Sequence, residues 1–149
     1  MIEREISSFQ DLIDSLLQLK ISGSVIFRGQ EDSSWGLLPK IGRLPFRESL
    51  VHTSDEKAFF EAWKRYAMNL LNKEPSDDWD WLALAQHHGL ATRLLDWTKN
   101  PLVAAYFATG RSGTQDAAIF AFEINRSEMR DQDSAPFDIK SIRVFFPKG

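Results

Sequence analysis

Apolar residues at Phe9, Leu12, Ile13, Leu16 and Leu17 recur at the spacing of one helix face. Ser7 or Ser8 stands ready to cap it, so the first helix is expected over residues 7–20. Gly23 breaks the pattern, and Ser24-Val25-Ile26-Phe27-Arg28 then reads as a short strand ended by Gly29. Val25 and Phe27 would face one way, Ile26 and Arg28 the other. Thr53-Ser54-Asp55-Glu56 has the form of a capping box. The helix it opens should run to about Lys73, with Phe59, Trp63, Tyr66, Ala67, Leu70 and Leu71 as its buried stripe. After a turn at Pro75, Ser76 or Asp77 caps a helix from Trp79 to His88, with Trp79 and Trp81 in the packing. Gly89 is its expected stop, because glycine takes a positive φ at little cost. Asn100-Pro101 reads as N-cap and first turn of a helix to about Ala108. Ala117–Ile124 is the clearest strand, apolar on both faces until Glu123 and therefore expected to be central. Ile139–Phe146 alternates as a last strand and is expected to pair with it. Leu94-Leu95 is a candidate fourth strand.

Strands and helices in this order predict an α+β fold, a small twisted sheet flanked by about four helices. At 149 residues the chain is read as one domain, 1–149, with its N-terminal helix at 7–20 and a core over 21–149. An apolar fraction of 43% and five tryptophans supply a core. The absence of cysteine excludes disulfides, a thiolate zinc site and a thiol nucleophile, and fits a cytoplasmic location. The charged start, Met1-Ile2-Glu3-Arg4-Glu5, has no signal-peptide pattern, and no apolar run has the length of a membrane span. A net charge of -3 argues against a broad grip on nucleic acid, while leaving room for a local basic groove.

The chemistry concentrates in two places. Arg28, on an otherwise apolar strand before a glycine, needs an anionic partner, internal or bound. Between Ala85 and Pro101, the polar groups Gln86, His87, His88, Thr92, Arg93, Asp96 and Thr98 are too many for a plain connector. One structural reading is an internal ion pair of Arg93 or Arg28 with Asp96. The functional reading is a cleft where arginine holds phosphate while histidine, aspartate and threonine orient a sugar or base. Residues 30–53 form a long irregular stretch, made locally basic by Lys40, Arg43 and Arg47 and pinned by Trp35 and Leu37-Leu38. No metal is expected. His87 and His88 are adjacent, so on a helix they diverge by about 100°, and no zinc spacing occurs. Hydrolase elbows, phosphate loops and dinucleotide fingerprints are absent.

Two motifs carry a family resemblance. Phe27-Arg28-Gly29-Gln30 resembles the signature of the FRG domain. Leu84-Ala85-Gln86-His87-His88-Gly89-Leu90-Ala91-Thr92-Arg93-Leu94-Leu95-Asp96-Trp97-Thr98, continuing through Asn100-Pro101 to Ala104-Ala105-Tyr106-Phe107-Ala108, resembles its second hallmark. The resemblance spans roughly residues 20 to 149 and implies a bacterial or phage protein. Such domains usually continue to a later Arg, Gln and Gly segment, so the sequence reads as a truncated domain.

The order of motifs is also similar to ADP-ribosyltransferases of the Arg-Ser-Glu type. That likeness implies an ADP-ribosyltransferase-like fold, with NAD or ADP-ribose as the ligand. By position Arg28 matches the arginine that anchors NAD. Asp96-Trp97-Thr98 stands where that family has Ser-Thr-Ser. There is no E-x-E, and Glu123 lies one strand early. The expected catalytic groups are Arg28, His88 and Asp96, and the expected ligand contacts Gly29, Gln30, Gln86, Thr92, Arg93, Trp97 and Thr98. The implied role is a toxin or phage-defence effector. The rivals are a non-catalytic module that binds nucleotide or a protein partner, and a nucleic-acid-directed enzyme using Lys40, Arg43, Arg47 and Arg93 as a phosphate track.

Overall fold

The computed structural model of the chain describes residues 3–21, 24–49, 53–110, 115–125, 127, 129, 135–139 and 144. Its elements are α1 (Phe9–Ile21), β1 (Val25–Gln30), α2 (Phe46–Ser49), α3 (Thr53–Ala67), α4 (Asp78–His87), α5 (Pro101–Ala108) and β2 (Ala118–Glu123). Two 3-10 turns, Lys40–Gly42 and Met68–Leu70, complete it. Helices and a two-stranded antiparallel sheet make the fold α+β. The chain divides into two compact units. The first is Met1–Trp35 with Asp96–Ser127, the second Gly36–Leu95 with Glu128–Gly149.

In the first unit, Ser8 is the cap of α1, its Oγ accepting from the Asp11 amide at 3.1 Å. Only part of the expected apolar face is used. Leu16 is buried and Leu12 packs beside it, while Phe9 and Leu17 are exposed. β1 runs through Gly29 to Gln30 and pairs with β2 in the register Val25↔Glu123 to Gln30↔Ala118. On its other edge Phe27 exchanges both backbone hydrogen bonds with Thr98, at 2.7 and 2.8 Å. Alternation puts Phe27 on the face that meets Leu16 and Ala104, where the core of this unit lies. Arg28 and Ile26 belong to the opposite face. Asn100 caps α5 through its side chain, with Pro101 in the first turn.

In the second unit, Phe60, Ala67, Trp81, Leu82 and Ala85 form the core. α3 stops at Ala67, short of Lys73, and its buried line is Glu56, Phe60 and Ala67, with Trp63 packed alongside. Phe59, Tyr66 and Leu70, expected inside, are exposed. Two apolar rows on this helix satisfy the same spacing, and the buried one is the row that meets Trp81, Leu82 and Ala85 of α4. Asp77 caps α4, accepting from the amides of Trp79 and Asp80. Gly89, at φ +94°, ends it. The Gly89 amide donates to Gln86 O at 2.9 Å and the Leu90 amide to Ala85 O at 3.0 Å, the paired bonds of a Schellman stop.

Several expectations are corrected. Thr53 is already helical, and the Glu56 carboxylate turns to Arg93 instead of closing a capping box. Leu94-Leu95 forms no strand. β2 is hydrogen-bonded to β1 along one edge and none of its residues is buried, so it lacks the two covered faces of a central strand. Most of the expected strand 139–146 lies outside the described residues. Val144 there forms a parallel bridge with Met129. Residues 30–53 contain a 3-10 turn and α2, and Trp35, Leu37 and Leu38 are exposed, so they do not pin the segment. Backbone bonds do: the Ser33 amide to Asp116 O at 2.7 Å in the first unit, and the Ile41 amide to Thr92 O at 3.3 Å in the second.

Candidate functional site

Gly29 explains why β1 can carry the arginine so close to α5. A Cβ placed on it would lie 1.9 Å from the Ala104 carbonyl oxygen and 2.7 Å from the Ala108 nitrogen. Strand and helix therefore touch backbone to backbone, which the small residues of α5 permit. Arg28 emerges on the other face, half-buried. Its Nη1 donates to the Asp96 carbonyl at 2.7 Å, and its Nε donates to Gln30 Oε1 at 3.4 Å. Gln30 is itself buried and donates through Nε2 to Trp35 O at 3.0 Å, fixing the turn that follows β1. Trp97 leans on Phe122, ring centroids 6.1 Å apart, and Thr98 sits at the bridge to Phe27. The first unit thus gathers Arg28, Gly29, Gln30, Asp96, Trp97 and Thr98. Just beyond, Asp32 accepts from the hydroxyl and amide of Ser34 at 2.6 and 2.8 Å, and these bonds hold its carboxyl below the usual range.

The second unit holds Gln86, His88, Thr92 and Arg93. Thr92 is fully buried; its hydroxyl donates to Gln86 Oε1 and accepts from the Leu94 amide. Arg93 is the hub. Its Nε lies 2.9 Å from Glu56 Oε2 and 3.1 Å from Oε1, its Nη2 lies 2.6 Å from Oε2, and its backbone amide also donates to Oε1. Nη1 donates to Pro136 O at 3.0 Å, and the guanidinium lies 4.8 Å over the Phe137 ring. The internal ion pair expected for Arg93 is corrected, since Arg93 pairs with Glu56 and not with Asp96. Arg28 reaches the Asp96 backbone carbonyl. Side-chain exposure is 8% for Glu56 and 28% for Arg93, so the pair is largely desolvated and held by several hydrogen bonds. His88 is exposed and stacks on Trp63 at 6.3 Å, with His87 edge-on to it at 5.4 Å.

Sequence reasoning missed Glu56, which it had spent on a cap. It named Lys40 as a cation but missed its tie to the end of α4, where the ammonium donates to the Gly89 carbonyl at 2.9 Å. Neither had a local signal, since the partners are 37 and 49 residues away. Two open hollows of about 360 and 410 Å³ lie by the end of α3, the first lined by Met68, Leu71, Asn72, Glu74 and Trp81. Neither includes an expected site residue. No group of three or more His, Cys, Asp or Glu among the described residues could hold a metal ion. No described helix is long and apolar enough to cross a membrane.

An α+β domain organised around an aromatic-Arg-Gly strand and a Q-H-H-G-L-A-T-R helix stop is the class defined by these features. A family model described as FRG domain matches residues 23–117, and the chain belongs to that family. Neither a curated protein nor a solved structure matches the chain.

Proposed function

We propose that this FRG domain binds an anionic nucleotide of the NAD or ADP-ribose type, with Arg28 on the phosphate side and Asp96 orienting a sugar hydroxyl. The observation that carries the reading is the 2.7 Å contact of Arg28 Nη1 with the Asp96 carbonyl, which brings the two family motifs together at one edge of β1. A half-buried guanidinium, fixed by its own strand and by a neighbouring turn, is preorganised for a phosphate group. The family resemblance to NAD-using transferases and to toxin or phage-defence effectors supports the same ligand class. Transfer chemistry is not part of the proposal. Glu123 pairs with Val25 and so belongs to the sheet face opposite Arg28. His88, stacked on Trp63, is also not used.

The test is thermal unfolding with NAD and with ADP-ribose. A ligand at 100 times its Kd stabilises by about 2.7 kcal/mol, a shift of several degrees. Arg28→Ala should abolish the ligand-dependent shift while keeping a cooperative melt, and Arg28→Lys should retain part of it. No shift with either nucleotide at millimolar concentration rejects the reading.

A further inference from the structure

The second unit carries a basic face that the nucleotide reading does not use. Lys40, Arg43 and Arg47 are all exposed and succeed one another at spacings of three and four residues. The Arg43 amide donates to Lys40 O at 3.1 Å and the Arg47 amide to Arg43 O at 2.9 Å, so two short consecutive turns, with Arg43 extended between them, hold the three cations within eight residues of one another. The chain is anchored by Arg43 Nε on the Leu38 carbonyl, 2.8 Å, and by Lys40 Nζ on the Gly89 carbonyl, 2.9 Å. The second bond brings the ammonium beside the end of α4, where His87 and His88 are exposed. Flat rings are interleaved with the charges. Phe46 lies beneath Lys40, 5.3 Å from centroid to ammonium, and His88 is braced against Trp63.

We infer that this face binds single-stranded nucleic acid, with Lys40, Arg43 and Arg47 tracking phosphates and His88 offering a stacking surface. A cationic track with adjoining rings is what a single strand requires, its bases being free to stack while its backbone is neutralised. An acidic peptide would use the cations alone. Arg93, once a candidate for this track, is excluded because Glu56 and Pro136 hold its guanidinium. The surface is local, on a chain of net charge -3, so binding should be weak and strongly salt-dependent.

The experiment is fluorescence polarisation of the full chain with a labelled 12-nucleotide oligo-uridylate, with a 12-base-pair duplex and polyglutamate as competitors. Three phosphate contacts predict a log–log salt slope of about -2. Arg43→Gln with Arg47→Gln should flatten the slope, whereas Arg43→Lys with Arg47→Lys should keep it. His88→Ala should weaken the single strand by about fivefold or more and leave the slope alone. Arg28→Ala should change none of this, which separates the surface from the nucleotide proposal. Should the double variant fail to fold, exposed Arg47→Gln alone reports the slope. No binding at 50 mM salt, equal competition by polyglutamate, or a slope unmoved by the glutamine variants overturns the inference.

Discussion

Adding one methyl group at Gly29 would drive it into the backbone of α5, since the three nearest atoms, the Ala104 oxygen and carbonyl carbon and the Ala108 nitrogen, all belong to the main chain. A side chain could turn aside; a helix carbonyl cannot without moving the helix. Gly29→Ala should therefore cost more than ordinary overpacking, upwards of about 3 kcal/mol. The measurement is denaturant unfolding, and a midpoint within error of the wild type would contradict the close contact. Gly89 is the opposite case. No atom lies within 4 Å of a Cβ there, so an alanine would meet only the left-handed backbone penalty, about 1–2 kcal/mol. The second F-R-G-Q polar residue, Gln30, also has structural work, joining Arg28 to the Trp35 turn.

Among elements, the Glu56–Arg93 charge pair ties α3 to the loop after α4, beside the packing of Leu90 and Leu94 on the core. Arg93→Ala would leave the Glu56 carboxylate buried without its partner, and should cost about 3–5 kcal/mol. Glu56→Gln removes the charge while keeping most of the shape, and should cost less. Chemical denaturation of both variants checks the order, and an equal or reversed loss would show that burial of Glu56 does not set the cost. This joint also marks where the sequence stops being readable. Asn100-Pro101, Asp77 and Gly89 announce their roles through neighbours a few residues away, so caps and stops of α4 and α5 were legible. Arg93 gives no hint of Glu56, because a salt bridge across 37 residues leaves no local pattern. The stripe of α3 was misread for another reason: Phe59, Tyr66 and Leu70 satisfy helical spacing as well as Phe60 and Ala67 do. At the candidate site, Arg28 with Asp96 was legible as two polar groups at element ends. That the contact runs to a backbone carbonyl was not.

At the scale of the molecule, each unit has its own buried cluster, Leu16, Phe27 and Ala104 in one and Phe60, Trp81, Leu82 and Ala85 in the other. Slow amide hydrogen exchange should therefore fall into two separate groups, one at Phe27 and its strand neighbours and one along α4 around Leu82 and Ala85. Protection confined to a single group would mean that one cluster does not hold its unit together. The charge of the whole is also divided unevenly. The chain is acidic overall, yet Lys40, Arg43 and Arg47 fall within eight residues, so a polyanion would be drawn to that segment against the net charge.

The missing side chain at Gly29 has a mechanical consequence. With nothing compressible between strand and helix, the mount of Arg28 and the stretch of α5 from Ala104 to Ala108 form one stiff piece. A pull on that guanidinium would be transmitted straight into α5, with no slack to absorb it.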